Sequence, residues 1–214
     1  MDKAILRKWL KAGVVFQGQF QATDAGTPQG GIISPTLANV ALNGLERQLE
    51  EFFRTKLGVA KTKKLKVNVV RYADDFVITG NTPEVLENEV KPWVEQFLAL
   101  RGLTLSTEKT RITNIADGFD FLGWNFRKYS GTLLIKPSKK NVKAFYCKVK
   151  QVINANKTAK QEKLIRLLNP MLRGWAQYHC PVAAKAAFTR MEHLIFRALW
   201  RWAKRRHRGK NAEW

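Results

Sequence analysis

The stretch from Val69 to Gly80, VVRYADDFVITG, sets two runs of β-branched and aromatic residues on either side of two adjacent aspartates, Asp74 and Asp75. Residues of that kind favour pleated, half-buried strands, and a short polar break between two such runs folds as a hairpin. The pattern predicts strands over 67–72 and 76–79, with both aspartates at or near the tip. The plain reading of such a pair is a turn in which aspartate caps its own backbone. The chemical reading is a pair of hard oxygen donors aimed at one divalent cation.

Periodicity and punctuation organise the rest of the chain. Ile5, Leu6, Trp9 and Leu10 give residues 1–12 a helical apolar face that Gly13 ends. Residues 14–16 and 19–22 flank Gln17 and Gly18 as a small hairpin, and GTPQGG at 26–31 is a loop. Ser34 followed by Pro35 opens what reads as one long helix, with Leu37, Val40, Ala41, Leu45, Leu49 and Phe52 on one face. KLGVAKTKKLK at 56–66 reads as a basic linker. Thr82-Pro83 repeats the start signal for a helix to about Leu100, ended by Gly102 and kinked or broken by Pro92. LTLS, RITNI, FDFLGWNF and TLLIKP then read as short strands up to Pro137. Beyond it the composition turns helical, over 138–154, 158–179 and 183–206, the second helix opened by a capping box of Thr158 and Gln161. The expected fold class is α+β, an antiparallel sheet with helices over 1–137, followed by an all-α unit over 138–214.

Charge narrows the partners. The chain of 214 residues carries 38 Lys and Arg against 17 Asp and Glu, a formal charge of +21. An excess of that size favours a polyanion, since nucleic-acid binders gain affinity by replacing condensed counterions. No apolar run is long enough to cross a bilayer and no charged leader with an apolar segment opens the chain, so the expected address is cytoplasmic and no membrane is expected as a partner. Cys147 and Cys180 have no CxxC spacing and are read as buried thiols. His179, Cys180 and His193 match no common zinc pattern. SKKNVKAFYCKVK and LWRWAKRRHRGK interleave cations with aromatic rings, offering phosphate contacts and flat surfaces for bases. Lys139, Lys140, Lys143, Arg201, Lys204, Arg205, Arg206 and Arg208 are the candidate RNA contacts. Phe196, Trp200 and Trp175 are placed in the helical core.

GTPQGGIISPTLANVALNGLE, VVRYADDFVITG, GLTLSTEKTRI and FDFLGWNF, in that order and spacing, resemble the palm of group II intron reverse transcriptases. LIRLLNPMLRGWAQYH and LWRWAKRRHRGKNAEW resemble the thumb and maturase region of the same family. The resemblance implies a partial palm over 1–137 and a thumb and maturase unit over 138–214. It implies RNA-directed DNA synthesis with Mg²⁺, Mn²⁺ being the alternative ion, on an RNA template and a DNA primer with deoxynucleoside triphosphates. Binding of intron RNA to aid splicing belongs to the same resemblance. By position it makes Asp74 a metal ligand, Asp75 a second acidic contributor, and Gln29 and Gly30 neighbours of the incoming nucleotide and template base. Lys109 falls where the family has a lysine near the triphosphate, with a solvated turn lysine as the plain alternative. Phe121, Gly123 and Trp124 fall in its primer grip, with ordinary core as the plain alternative for Phe121 and Trp124 and as the reading of Leu122.

The resemblance also implies departures. The family draws one essential aspartate from a strand earlier than any in this chain, and Asp2 and Asp24 lack that apolar strand context. The fingers and the end of the maturase region are lacking too. The expectation is a fragment or half of a split enzyme, inactive alone and completed by a separate fingers-containing polypeptide. The rival from another class is a non-catalytic RNA-binding maturase or splicing cofactor. A retron or diversity-generating reverse transcriptase is a further rival, which LRGWAQYH disfavours.

Overall fold

The computed structural model describes residues 2–16, 18–22, 34–207 and 209. Contacts divide the chain into two compact units, Met1–Ile112 and Thr113–Trp214. The mixture of helix with antiparallel sheet agrees with the expected α+β class. The change of composition at Pro137 is not where the compact units part, because the strands before it pack with the helices after it. Ser138 N–H donates to the Gly123 carbonyl and Ala183 N–H to that of Ile135, at 2.9 and 3.0 Å.

In the first unit, α1 (Lys3–Leu10) precedes a hairpin of β1 (Val14–Phe16) and β2 (Gln19–Gln21). The long helix expected from Ser34 is two helices, α2 (Ser34–Ala41) and α3 (Leu45–Leu57). Gly44, at φ 87°, turns the chain between them, a conformation that glycine adopts without steric cost. Val40 is exposed rather than facing the core. The basic linker also proves helical, as α4 (Val59–Leu65). β3 (Asn68–Tyr72) and β4 (Asp75–Thr79) form the expected hairpin.

The helix expected after Thr82 forms, and the Thr82 hydroxyl accepts from Val85 N–H. It runs through α5 (Pro83–Val85), a π-helical turn over Leu86–Val90, and α6 (Lys91–Ala99). The wide turn accommodates Pro92. Lys91 N–H reaches back to the Leu86 carbonyl, and the chain passes the proline without ending the helix.

Leu45, Leu49 and Phe53 from α3 meet Val90, Val94, Phe97 and Leu98, with Leu42, in a buried cluster. Val69, Phe76 and Ile78 of the hairpin and Leu105 pack on it from outside. Each such side chain contributes about 1.5–3 kcal/mol when fully buried. The strands expected over 103–106 and 111–115 are absent, and Leu103, Ile112 and Ile115 are exposed. Local bonding takes the backbone instead: Asn114 Oδ1 accepts from Ala116 N–H at 2.9 Å, and Ser106 O accepts from Thr110 N–H.

The second unit opens with a three-stranded antiparallel sheet of β5 (Phe119–Phe121), β6 (Trp124–Tyr129) and β7 (Thr132–Pro137), in that order. Leu122-Gly123 and Ser130-Gly131 join the strands with both residues at positive φ, the geometry that matches strand twist in two-residue hairpins. Leu122 is therefore a turn residue and not core. α7 (Lys139–Ala155) starts at Ser138, whose hydroxyl accepts from Asn141 N–H. α8 (Gln161–His179) starts three residues later than expected, with Lys160 rather than Thr158 at its cap position, and the capping box does not form. The turn ahead of it is held by Ala159 N–H on the Asn156 carbonyl and by Arg206 on the Ala159 carbonyl. α9 (Lys185–Arg206) completes the unit.

Val149, Ile153, Leu164, Leu168, Ala198 and Trp202 form its core. Trp202 donates from Nε1 to the Asn156 carbonyl at 2.9 Å. Phe196 and Trp200 are not core, being 62% and 41% exposed, because α9 turns its 191/198/202 stripe inward instead. Cys147 and Cys180, expected to be buried, are exposed as well.

Candidate catalytic turn and nucleic-acid interface

Alternation along β3 turns Val69 and Arg71 inward and leaves Val70 and Tyr72 exposed. Tyr72 pairs with Asp75, so Ala73 and Asp74 form the loop, and the consecutive Asp74 and Asp75 are both exposed at the hairpin tip. Ala73 sits at φ 54°, left-handed backbone that costs an L-residue roughly 1–2 kcal/mol. Arg71 holds the turn there. Its Nη1 donates to the Ala73 carbonyl at 2.9 Å and to Asn39 Oδ1 on α2 at 3.0 Å. Sequence reasoning passed over both residues, although a cation inside a strand of apolar residues was a signal.

Two adjacent, solvent-facing carboxylates fit Mg²⁺, which takes a few protein oxygens and keeps water or phosphate at its other positions. No group of three or more His, Cys, Asp or Glu suited to a metal occurs among the described residues. Lys109 lies exposed on the turn that Thr110 N–H closes onto Ser106 O, in the same unit as the aspartates. Gln29 and Gly30 lie outside the described residues.

In the second unit, Phe121 pairs with Trp124 across the Leu122-Gly123 turn. Glycine suits position 123 on two counts: φ is 81°, and a Cβ would lie 2.8 Å from Asn141 Nδ2. The turn is bolted to the helices by a polar network. Trp124 Nε1 donates to His179 Nδ1 at 2.9 Å, His179 Nε2 meets Asn141 Oδ1 at 3.0 Å, and Trp175 Nε1 donates to that same oxygen at 2.9 Å. Tyr178 donates to the Leu122 carbonyl and stacks on Trp124. Trp175 stacks on Phe145, in keeping with its expected place among the helices. His179 is fully buried, and burial lowers its pKa below the ordinary 6.5.

Lys139, Lys140 and Lys143 are exposed along the first turns of α7, and Arg201, Lys204 and Arg205 along the last turns of α9. Arg206 differs from its expected role as a free cation. It lies over the Trp202 ring with its guanidinium carbon 5.0 Å from the centroid, and it donates to the Ala159 carbonyl. Arg208 lies outside the described residues.

Comparison with known proteins assigns the class. Residues 1–126 match the family model described as "Reverse transcriptase (RNA-dependent DNA polymerase)", more than half of the chain. Residues 142–214 match that of "Group II intron, maturase-specific domain". With both on one polypeptide, the chain belongs to the group II intron reverse transcriptase/maturase family. Over 143 residues it is 33% identical to Protein YkfC of Escherichia coli, covering 56% of this chain and 37% of that protein. It is 28% identical over 185 residues to the group II intron-encoded protein LtrA of Lactococcus lactis, covering 60% of this chain and 30% of the relative. It is 29% identical to maturase-like protein 1 of Euglena longa, covering 68% of this chain and 28% of the relative. The chain thus spans less than two fifths of each of these proteins. No helix among the described residues is long and apolar enough to cross a membrane.

Proposed function

We propose that this chain contributes the metal-binding turn and the RNA-binding helices of an enzyme that extends a DNA primer on an RNA template. The observation that carries this reading is the exposure of the consecutive Asp74 and Asp75 at a hairpin tip fixed by Arg71. Asp74 and Asp75 would hold Mg²⁺, which supplies charge stabilisation at the transferring phosphoryl group. Lys109 donates a proton to the departing pyrophosphate, and Gln29 and Gly30 flank the nucleotide and its template base. Phe121, Gly123 and Trp124 support the primer end.

A symmetric two-metal clamp needs a further carboxylate, which this reading draws from outside the described residues. On this reading that carboxylate belongs to a fingers-containing polypeptide, so the 214 residues assayed alone should not extend a primer and adding that polypeptide should restore extension. Lys109→Ala in the completed enzyme lowers the rate of nucleotide addition more than it weakens nucleotide binding. An effect confined to binding makes Lys109 a ground-state phosphate contact instead.

The helical unit binds intron RNA through Lys139, Lys140, Lys143, Arg201, Lys204 and Arg205. Filter binding across a salt series tests it. Each phosphate neutralised contributes a slope of roughly 0.7–0.9 in log affinity against log salt. Replacing Lys139, Lys140, Lys143 and Lys204 by Gln should flatten the slope by about three units. An unchanged slope in a folded variant moves the RNA surface elsewhere.

A further inference from the structure

α9 carries a face that its packing does not explain. Met191, Ala198 and Trp202 turn inward, and the opposite side presents His193, Phe196, Arg197, Trp200, Arg201 and Lys204, which recur at helical spacing and are all exposed. At its centre Phe196 and Trp200 stack on one another, with centroids 6.4 Å apart and planes 15° from parallel. Large rings exposed to this extent on the side of a helix away from its core mark an interaction surface. The charge around them selects the occupant. Seven Lys and Arg accompany a single acid, Glu192, along the helix, and the face continues into a shallow depression lined by Lys185, Ala186, Thr189, Arg190, His193 and Leu194.

An apolar protein partner would be met by rings alone, whereas cations flanking rings match a strand whose phosphates and bases alternate. Paired bases hide their flat faces within the stack, and unpaired bases offer them. We propose that this face of α9 binds unpaired nucleotides of RNA, with bases stacking on Phe196 and Trp200 and phosphates held by Arg197, Arg201 and Lys204. The inference rests on the RNA-binding reading above and goes beyond it. It separates a stacking site for loops or single strands from the general phosphate attraction of the unit.

The test compares the whole 214-residue protein with the double variant Phe196→Leu/Trp200→Leu and the double variant Phe196→Tyr/Trp200→Tyr. Leucine keeps helix propensity and apolar area but removes the flat ring, and tyrosine keeps the ring. The probes are a short unstructured RNA oligonucleotide and the same sequence in a perfect duplex, with circular dichroism on each variant. Stacking on alanine-scanned platforms is lost at about 1–3 kcal/mol per base. The leucine variant should therefore bind the single strand more weakly by roughly thirtyfold or more and the duplex within about twofold of the parent, with the salt slope unchanged. The tyrosine variant should keep most of the single-strand affinity. Single-strand binding undiminished by leucine, or a loss shared equally by the duplex, overturns the proposal and makes the rings a seat for protein or a bystander to phosphate contacts. A parent protein that binds neither probe sinks the RNA-binding reading itself.

Discussion

Trp124 Nε1 donates to His179 Nδ1 at 2.9 Å, joining residues 55 apart in sequence. That bond fixes the imidazole. Nδ1 accepts, so the ring proton resides on Nε2 and is donated to Asn141 Oδ1. Protonating Nδ1 would set two donors against each other inside a buried site. The groups packed on the ring are Trp124 from β6, Asn141 from α7 and Trp175 and Tyr178 from α8, with no carboxylate among them to offset a positive charge.

The second unit should accordingly lose stability in acid. Burial holds the folded-state pKa of His179 below its unfolded value near 6.5, so the unfolded chain takes up the proton first as pH falls. The stability that neutral His179 confers is complete above about pH 6.5 and declines as pH drops from there toward the folded pKa. Urea denaturation of the protein at pH 7.5 and pH 5.5 should give a lower midpoint at the acid end. His179→Gln should be less stable at pH 7.5 and lose much of that difference. Equal pH dependence in the two proteins contradicts the assignment.

Gly123→Ala and Gly131→Ala separate backbone strain from steric exclusion. Both glycines have φ above 80°, but a Cβ at Gly131 meets nothing within 4 Å, while one at Gly123 runs into Asn141. The Gly131 substitution should cost about 1–2 kcal/mol from backbone alone. Gly123→Ala should cost more and perturb the fluorescence of Trp124 or Trp175. Equal costs would mean that Asn141 moves aside freely.

Trp202→Ala should destabilise the protein by about 3–5 kcal/mol, because the ring fills the helical core and its N–H is bonded to Asn156. Trp200→Ala, two residues earlier and on the other side of α9, should cost under about 1 kcal/mol. Chemical denaturation followed by circular dichroism measures both. A reversed order would place the wrong side of α9 against its neighbours.

Ala73→Gly should stabilise the first unit by about 0.5–1 kcal/mol, relieving left-handed strain of roughly 1–2 kcal/mol at the chain-entropy cost of glycine. Denaturation midpoints of the two proteins test this. Destabilisation would mean that the turn derives its fixity from the alanine methyl rather than from Arg71.

The hairpin at 68–79 was legible because alternation and a short gap are local signals, and the cap at Thr82 was legible for the same reason. The segment 103–115 was not. Leu103 and Leu105 alternate as a strand's residues do, but Asn114 and Ser106 capture the backbone of the segment in turns. On α9, aromatic and aliphatic residues occupy both sides, so periodicity alone could not say whether Trp200 or Trp202 faces inward; the position of α7 and α8 decides. The candidate site was legible as the aspartate pair and the basic helices. The bonds that fix it, Arg71 to Asn39 and Trp124 to His179, span 32 and 55 residues and leave no local trace.

The central claim is that the turn at Tyr72–Asp75 carries the metal of a polymerase. The direct measurement is Mg²⁺-dependent primer extension on an RNA template by this chain completed with a fingers-containing polypeptide, comparing the parent with Asp74→Asn and with the exposed control Asp117→Asn. Asparagine keeps the shape of the side chain and removes the anionic ligand, so Asp74→Asn should lower the rate by roughly a hundredfold or more while Asp117→Asn leaves it unchanged. Extension by the Asp74→Asn enzyme within a few-fold of the parent would contradict the claim.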